Sequence, residues 1–445
     1  MLGIYRSLMN FSTPFLKNVL NKRAKQGKED PARLNERMGI ASVPRPDAPL
    51  IWLHAASVGE AQSMLILIES LQKKHADCRF LITTGTKTSA TLMEKRLPRR
   101  ATHQYYPVDH PAWVTSFLDH WHPDAIIWME SELWPNMIME IKKRDIPVVI
   151  ANARMSDKSF ARWQKTRRNA QKLLSVFSMI MTQTNEDAEH FKQLGAASES
   201  VLTTGNLKYS AAPLPFEEED LTLLKQSIAE RPFWVYASTH DGEEDLACRL
   251  HQQVQKQKPD LLTIIVPRHP ERRSSIEKTC AKFDMKHILR GDKKALPITD
   301  TQIYIVDTLG EMGLFYELAP VSCIGRSFSN DGGGGHNPIE AAQKHCAVLH
   351  GPKIQNLQQI YDDMNEAGAA IKLKDEKDFE NRLARLLGDE EGLIAMQNKA
   401  YRFVNERSGV VDDVMVKLSP LIDAAISSYN APHHQNQKEK SQKCG

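Results

Sequence analysis

Long apolar runs are missing from this chain of 445 residues: none approaches the roughly 20 residues that a helix needs to cross a bilayer. Cysteine pairing is missing as well. Six cysteines (Cys78, Cys248, Cys280, Cys323, Cys346, Cys444) are scattered, with no C-x-x-C pair and no metal-like spacing to histidine, so they read as reduced thiols in the cytoplasm. Charge of one sign is not in excess, and a net charge of +3 is too small to argue for a nucleic-acid partner. There is no D-x-D triplet of the kind that holds a divalent ion on a sugar diphosphate. There is also no Walker motif and no Ser-His-Asp set in a nucleophile elbow. What remains is an ordinary globular composition, long enough for two domains or more, each with its own core.

What is present is a repeated alternation of short apolar runs with helix-like stretches. The first series is Leu50-Ile-Trp-Leu-His, Phe80-Leu-Ile-Thr-Thr, Ala125-Ile-Ile-Trp-Met, Pro147-Val-Val-Ile-Ala and Met179-Ile-Met-Thr-Gln. The second is Phe233-Trp-Val-Tyr-Ala, Leu261-Leu-Thr-Ile-Ile-Val, Ile303-Tyr-Ile-Val and Pro320-Val-Ser-Cys-Ile, closed by Ala347-Val-Leu-His and Ala369-Ala-Ile-Lys-Leu. Near-continuous apolar strands between helices predict parallel sheets covered on both faces. The fold class is therefore α/β, with two Rossmann-like domains facing a central cleft and ligands at the carboxyl ends of the strands. The expected boundaries are an amphipathic segment over 1–40, a first domain over 41–205, a second over 206–429 and a polar, disordered tail over 430–445.

The stretch Gly325-Arg-Ser-Phe-Ser-Asn-Asp-Gly-Gly-Gly-Gly-His-Asn-Pro-Ile-Glu340 carries the most chemistry. A strand feeding a glycine-rich loop, then Pro338 at a helix start, predicts free backbone N–H groups for an anion. Glu340, a turn into that helix, is placed to accept from ribose hydroxyls. A flexible surface loop is the plainer alternative. After the first strand, Ser57-Val-Gly-Glu60 reads first as a capping box, and alternatively as an ionised carboxylate at a strand's carboxyl end, fit to act as a general base. Met129-Glu130-Ser-Glu132 ends the third strand, where strand alternation would put Glu130 and Glu132 on one side. Gly205-Asn-Leu-Lys208 lies at the junction of the halves, where a lysine is either solvated or aimed at a substrate anion. Arg268 and His269 follow the second strand of the second series and suit phosphate recognition. Asp307-Thr-Leu309-Gly310-Glu311 follows the third, again as a capping box or as another helix start offering N–H groups.

The amino terminus sets Leu2, Ile4, Tyr5, Leu8, Met9 and Phe11 ahead of Lys17, Lys22, Arg23, Lys25 and Lys28, without a signal-peptide cleavage site. Such a stripe fits a helix lying on an anionic membrane surface, or one packed on the domain.

In order along residues 1 to 425, these motifs resemble the bacterial 3-deoxy-D-manno-octulosonic acid (Kdo) transferase family of lipopolysaccharide synthesis. The resemblance rests on Ala56-Ser-Val-Gly-Glu60, Glu130-Ser-Glu-Leu-Trp-Pro-Asn136, Gly205-Asn-Leu-Lys208, Pro267-Arg-His-Pro-Glu271, Asp307-Thr-Leu-Gly-Glu311 and Gly333-Gly-Gly-His-Asn-Pro-Ile-Glu340. Arg326 departs from it, standing where a small residue is expected. The resemblance implies a GT-B glycosyltransferase that moves Kdo from CMP-Kdo to a lipid A precursor (lipid IVA) with inversion, with no metal or other cofactor. It implies Glu60 as the base that deprotonates the acceptor hydroxyl, with Glu130 and Lys208 stabilising the transition state. It also implies a CMP cradle of Arg268, His269, Leu309, Gly310, Glu311, Gly335, His336, Asn337 and Pro338, with Glu340 on the ribose. A lipid acceptor implies a peripheral position on cytoplasmic-face lipids of the inner membrane. Two other readings are a GT-B transferase or sugar-nucleotide epimerase with a different donor, and a membrane-bound sugar-nucleotide sensor without turnover.

Overall fold

The short apolar runs build two parallel seven-stranded sheets in the computed structural model, which describes residues 2–130 and 132–431. The first sheet comprises β1 (Leu50–Ala55), β2 (Arg79–Thr84), β3 (Ala101–Tyr105), β4 (Ala125–Met129), β5 (Val148–Ala153), β6 (Met179–Thr182) and β7 (Val201–Thr203), in the order β3-β2-β1-β4-β5-β6-β7. Every residue of β1, β4 and β5 is buried, as strands covered by helices on both faces must be. The pleat sorts them. Leu50 and Trp52 join Phe117, Trp121 and Trp128 on one face, while Ile51, Leu53 and Ala55 join Met64, Leu67 and Leu71 on the other.

The second sheet comprises β8 (Phe233–Thr239), β9 (Leu262–Pro267), β10 (His287–Leu289), β11 (Ile303–Ile305), β12 (Val321–Ile324), β13 (Ala347–His350) and β14 (Ala370–Lys372), ordered β10-β11-β9-β8-β12-β13-β14. The α/β class is as expected. Three strands escaped the sequence reading: β3, β7 and β10. Each lies at a sheet edge, where strands run short and polar and lose the apolar signature.

One compact unit takes in the chain up to Ala211 and again from Gly409 on; the other is Ala212–Ser408. The last helix, Val410–Asn430, buries Val414, Met415, Leu418 and Ile422 against the first sheet; the boundary at 429 groups it with the second domain, although the stretch 392–429 also reads as one that packs back across the hinge. The tail expected from 430 lies outside the described residues from 432 on.

At the amino terminus, the helices Leu2–Phe11 and Thr13–Lys25 hold to the first unit through polar contacts: Tyr5 Oη donates to Asp109 Oδ2 at 3.0 Å, and Arg6 pairs with Glu140 at 2.7 Å. Ile4, Leu8, Phe11, Phe15 and Val19 stay exposed, five of the twelve exposed large apolar side chains among the described residues. No helix among the described residues is long and apolar enough to cross a membrane.

Candidate active site

The first sheet reverses its strand order between β1 and β4, and candidate acids stand at the carboxyl ends of both strands. Glu60 lies in the first turn of the helix Val58–Lys74, which Ser57 caps by accepting the Glu60 N–H at 3.3 Å. Glu60 Oε2 accepts the Ala56 N–H at 2.8 Å, and Oε1 has no hydrogen bond among the described residues. The carboxylate is buried. With one oxygen anchored and the other open, it is held in the orientation for taking a proton.

β4 ends at Met129, and Glu130 turns into left-handed backbone at φ 56° while its N–H still reaches Ala151 O at 3.1 Å. The alternation expected to put Glu130 and Glu132 on one side therefore stops short. Glu132 is exposed and accepts Trp134 Nε1 at 3.1 Å, and the next helix opens only at Pro135. A left-handed non-glycine residue costs on the order of 1 kcal/mol, and such residues gather at functional sites. Burial and the charge of Glu60 push the Glu130 carboxyl up to about 7, against the opposite pull of Lys208 and Arg154.

Lys208 sits in the 3-10 turn Leu207–Ser210 within the first unit, so it is not a solvated linker lysine. Its Nζ lies 3.7 Å from where a side chain on Gly59 would begin, beside the turn that carries Glu60. Burial lowers its pKa, and the two glutamates resist that shift. Buried amides hold the turn: Asn152 Oδ1 accepts the Leu207 N–H at 2.9 Å, Asn206 Oδ1 accepts the Lys208 N–H at 3.0 Å, and Gln183 links the two asparagines. Asp187 Oδ1 accepts the Met155 N–H at 2.7 Å, fixing the segment that carries Arg154. None of Asn152, Arg154, Gln183 or Asp187 stood out in the sequence, because they come from two separate regions, the ends of β5 and β6, and no motif joins them.

The second sheet reverses between β8 and β12, and here the imidazoles converge. His240 Nδ1 lies 2.8 Å from Asp331 Oδ2, and its Nε2 lies 2.9 Å from His336 Nε2. The His269 ring stands edge-on to His240 at 5.7 Å. Burial and the surrounding cations lower His336 to about 3. Arg268, one of those cations, is exposed, and its guanidinium has no partner among the described residues. His240 and Asp331 were visible in the motifs but not assigned.

The glycine-rich loop is built differently from the expectation. Gly332 to Gly335 all take positive φ, a conformation open to glycine at no steric cost. Three of these four N–H groups are used internally, however: Gly333 donates to Asp331 Oδ1, Gly334 to Lys353 O and Gly335 to Arg326 O, and the next residue, His336, donates to Gly325 O. The following helix, Ile339–Ala342, has only four residues. A cradle of free loop N–H groups is thus replaced by side chains, with Asn337 Nδ2 donating to Glu340 Oε1 at 3.2 Å and Pro338 as the helix cap. Glu243 fastens the loop by accepting the N–H groups of Arg326, Phe328 and His240. Gly325 has no alternative, since a Cβ there would stand 2.3 Å from Ser238 O. Arg326 is left-handed at φ 59°, which explains why a small residue is the natural choice, and its guanidinium turns to Asp331.

At the mouth of β11, Leu309 is exposed and Gly310 takes φ 88°. The expected capping box does not form. The helix starts at Met312, and Thr308 Oγ1 bonds the Glu311 carboxylate instead. That carboxylate is gripped by the buried Arg290 at 2.6 and 2.8 Å. Burial alone would raise it, but Arg290 and Thr308 hold it below the usual range. The turn shares no hydrogen bond or ion pair with the imidazole group among the described residues.

Residues 32–211 match the family model for 3-deoxy-D-manno-octulosonic-acid transferase. A transferase of that name from Rickettsia bellii is 34% identical over 93% of this chain and 98% of its own length. The chain belongs to the Kdo transferase family. Another member, from Haemophilus influenzae, is 31% identical over 95% of this chain and 99% of its own. The UDP-GlcNAc 2-epimerase from Neisseria meningitidis, solved with UDP-GlcNAc, superposes with a TM-score of 0.53 over 83% of this chain and 100% of its own at 15% identity. That likeness concerns the fold alone, two α/β units of the GT-B class. The transferase is accordingly an enzyme of lipopolysaccharide biosynthesis that moves Kdo.

Proposed function

We propose that this transferase moves Kdo from CMP-Kdo to a hydroxyl of a lipid A precursor, with inversion at the anomeric carbon. The observation that carries the reading is Glu60, with Oε2 on the Ala56 N–H, Oε1 open, and Lys208 beside its turn. Oε1 takes the acceptor hydroxyl proton as the acceptor oxygen forms its bond to the anomeric carbon. The bond from that carbon to the phosphate oxygen breaks, and CMP leaves with the electron pair. Glu130 and Lys208 balance the charge of the oxocarbenium-like state. In the second unit, Arg268, His269 and His336 receive the phosphate, Asn337 and Glu340 the ribose, and Leu309 to Glu311 form the rim. Incubation with CMP-Kdo and lipid A precursor, followed by mass analysis, tests the whole reading; a lipid unchanged in mass rejects it.

Arg268→Ala is expected to weaken CMP about ten- to a hundredfold, the scale of a lost charge-assisted hydrogen bond. Calorimetry with unchanged affinity would move the phosphate elsewhere.

The same reading places the enzyme on the cytoplasmic face of the inner membrane through the stripe of Ile4, Leu8, Phe11, Phe15 and Val19, flanked by Lys17, Lys22, Lys25 and Lys28. The double substitution Leu8→Glu/Phe11→Glu removes about 2 kcal/mol of burial per side chain from a membrane-bound state. It should release the enzyme from anionic vesicles while CMP affinity stays put. Undiminished sedimentation with vesicles would show that another surface makes the contact.

A further inference from the structure

The charge of this chain is unevenly spread. Between residues 154 and 172 there are seven Lys or Arg and one Asp, a local charge of +6 in a chain whose total is +3. The segment leaves β5 and forms the helices Asp157–Gln164 and Arg167–Leu174. Arg154, Lys158, Arg162, Lys165, Arg168 and Lys172 are all exposed, and none has a hydrogen bond or ion pair through its side chain among the described residues. Several cations elsewhere on the surface are matched, among them Arg144 with Asp119 and Glu140, Arg249 with Glu376, and Arg272 with Asp241 and Glu244. The one acid of the segment, Asp157, lies 3.8 Å from His190 Nε2.

The helices that carry these cations are fixed. Phe160 and Trp163 pack against the core beside buried Ala170, Leu173 and Leu174, and the Phe160 ring stacks on His190 at 4.1 Å. The fully exposed side chains of this surface are mostly polar, and among the described residues no large apolar side chain is exposed between Val43 and Leu223. A membrane-inserting face interleaves apolar residues with its cations, as the amino-terminal helices do; this one does not. It begins beside the candidate active site, where Arg154 acts on both Glu130 and Lys208.

We propose that the cations of residues 154–172 form the binding surface for a phosphate group on the acceptor's head group, holding the acceptor so that its hydroxyl reaches Glu60. The proposal rests on the acceptor being a phosphate-bearing lipid, as in the reading above. A phosphate offers several acceptor oxygens and about two negative charges, which suits flexible lysines and forked arginines more than a neutral sugar does. An array of exposed cations also makes the interaction salt-dependent.

The test is the triple variant Arg162→Ala/Lys165→Ala/Arg168→Ala, whose side chains bond nothing that the fold needs. Binding to micelles of neutral detergent doped with lipid A precursor is compared with binding to the same lipid after phosphatase treatment. The expected result is at least a tenfold loss of affinity for the phosphorylated lipid at low salt and no change for the dephosphorylated lipid. CMP affinity and melting temperature should match the parent. Equal loss on both lipids, or no loss on either, overturns the proposal. So does a loss confined to anionic vesicles, which would make the patch a membrane contact only. Because the readout is binding, it stays informative even if no Kdo transfer is found, an outcome that would strike the proposed reaction instead.

Discussion

Glu60→Gln is expected to lose Kdo transfer by two to four orders of magnitude, the usual scale for removing a general base, while keeping its fold and its affinity for CMP. The reason lies in the division of labour between the two carboxylate oxygens. Oε2 accepts the Ala56 N–H at 2.8 Å, and the amide oxygen of a glutamine can do the same. Ser57 still caps the helix through the residue-60 N–H, so the first turn has no cause to fray. What glutamine cannot do is take a proton at the position of Oε1. Steady-state rates and a melting curve decide the matter together. Near-parental turnover would return Glu60 to a capping role, whereas a large fall in melting temperature would show that the change damaged more than the chemistry.

Glu130→Gln is expected to separate activity from stability. Burial and the neighbouring Glu60 charge hold the Glu130 carboxyl at about 7, above the ordinary glutamate value of 4.5. A group with a raised folded-state pKa favours the fold in its protonated form. Its contribution is therefore full below about 4.5 and is lost as pH rises through about 7. Glutamine keeps the neutral form at every pH. The variant should melt a few degrees higher than the parent at pH 8, for a gain on the order of 1 kcal/mol, and alike at pH 4.5. Transfer should nevertheless fall at least a hundredfold, because the buried Lys208 ammonium loses a neighbouring negative charge. In the parent, activity should decline as pH falls below about 7 and the Glu130 carboxylate takes up its proton. Calorimetric melting at the two pH values is the check, and a variant less stable than its parent at pH 8 would mean that the carboxylate stabilises the fold.

The fold was legible wherever strands are buried on both faces, since β1, β4, β5, β8 and β12 are nearly unbroken apolar runs. The edge strands β3, β7 and β10 were not, because three to five polar or mixed residues carry no period to count. At the site, Glu60 and Lys208 could be picked out because each stands in a compact motif. The contacts that hold them could not, since Asn152, Gln183 and Asn206 meet only after three strand ends are brought together. The glycine-rich loop misled in one respect. Its glycines mark a loop free to turn, but whether their N–H groups stay free depends on the Asp331 carboxylate and on the Lys353 and Arg326 carbonyls, which no local pattern specifies.

The return of the last helix to the first sheet bears on the order in which this protein is made. The second unit is one uninterrupted stretch, Ala212–Ser408, whereas the first is split around it. On the ribosome, the unit begun first must therefore wait for Val410–Asn430 to emerge before its sheet is covered. Until then, Met129, Val149 and Leu207 lack the apolar helix that belongs over their face. A nascent chain that has emerged as far as residue 408 would hold a finished second unit and an unfinished first. Proteins that recognise exposed apolar surface would have their longest opportunity to engage it at that stage of synthesis.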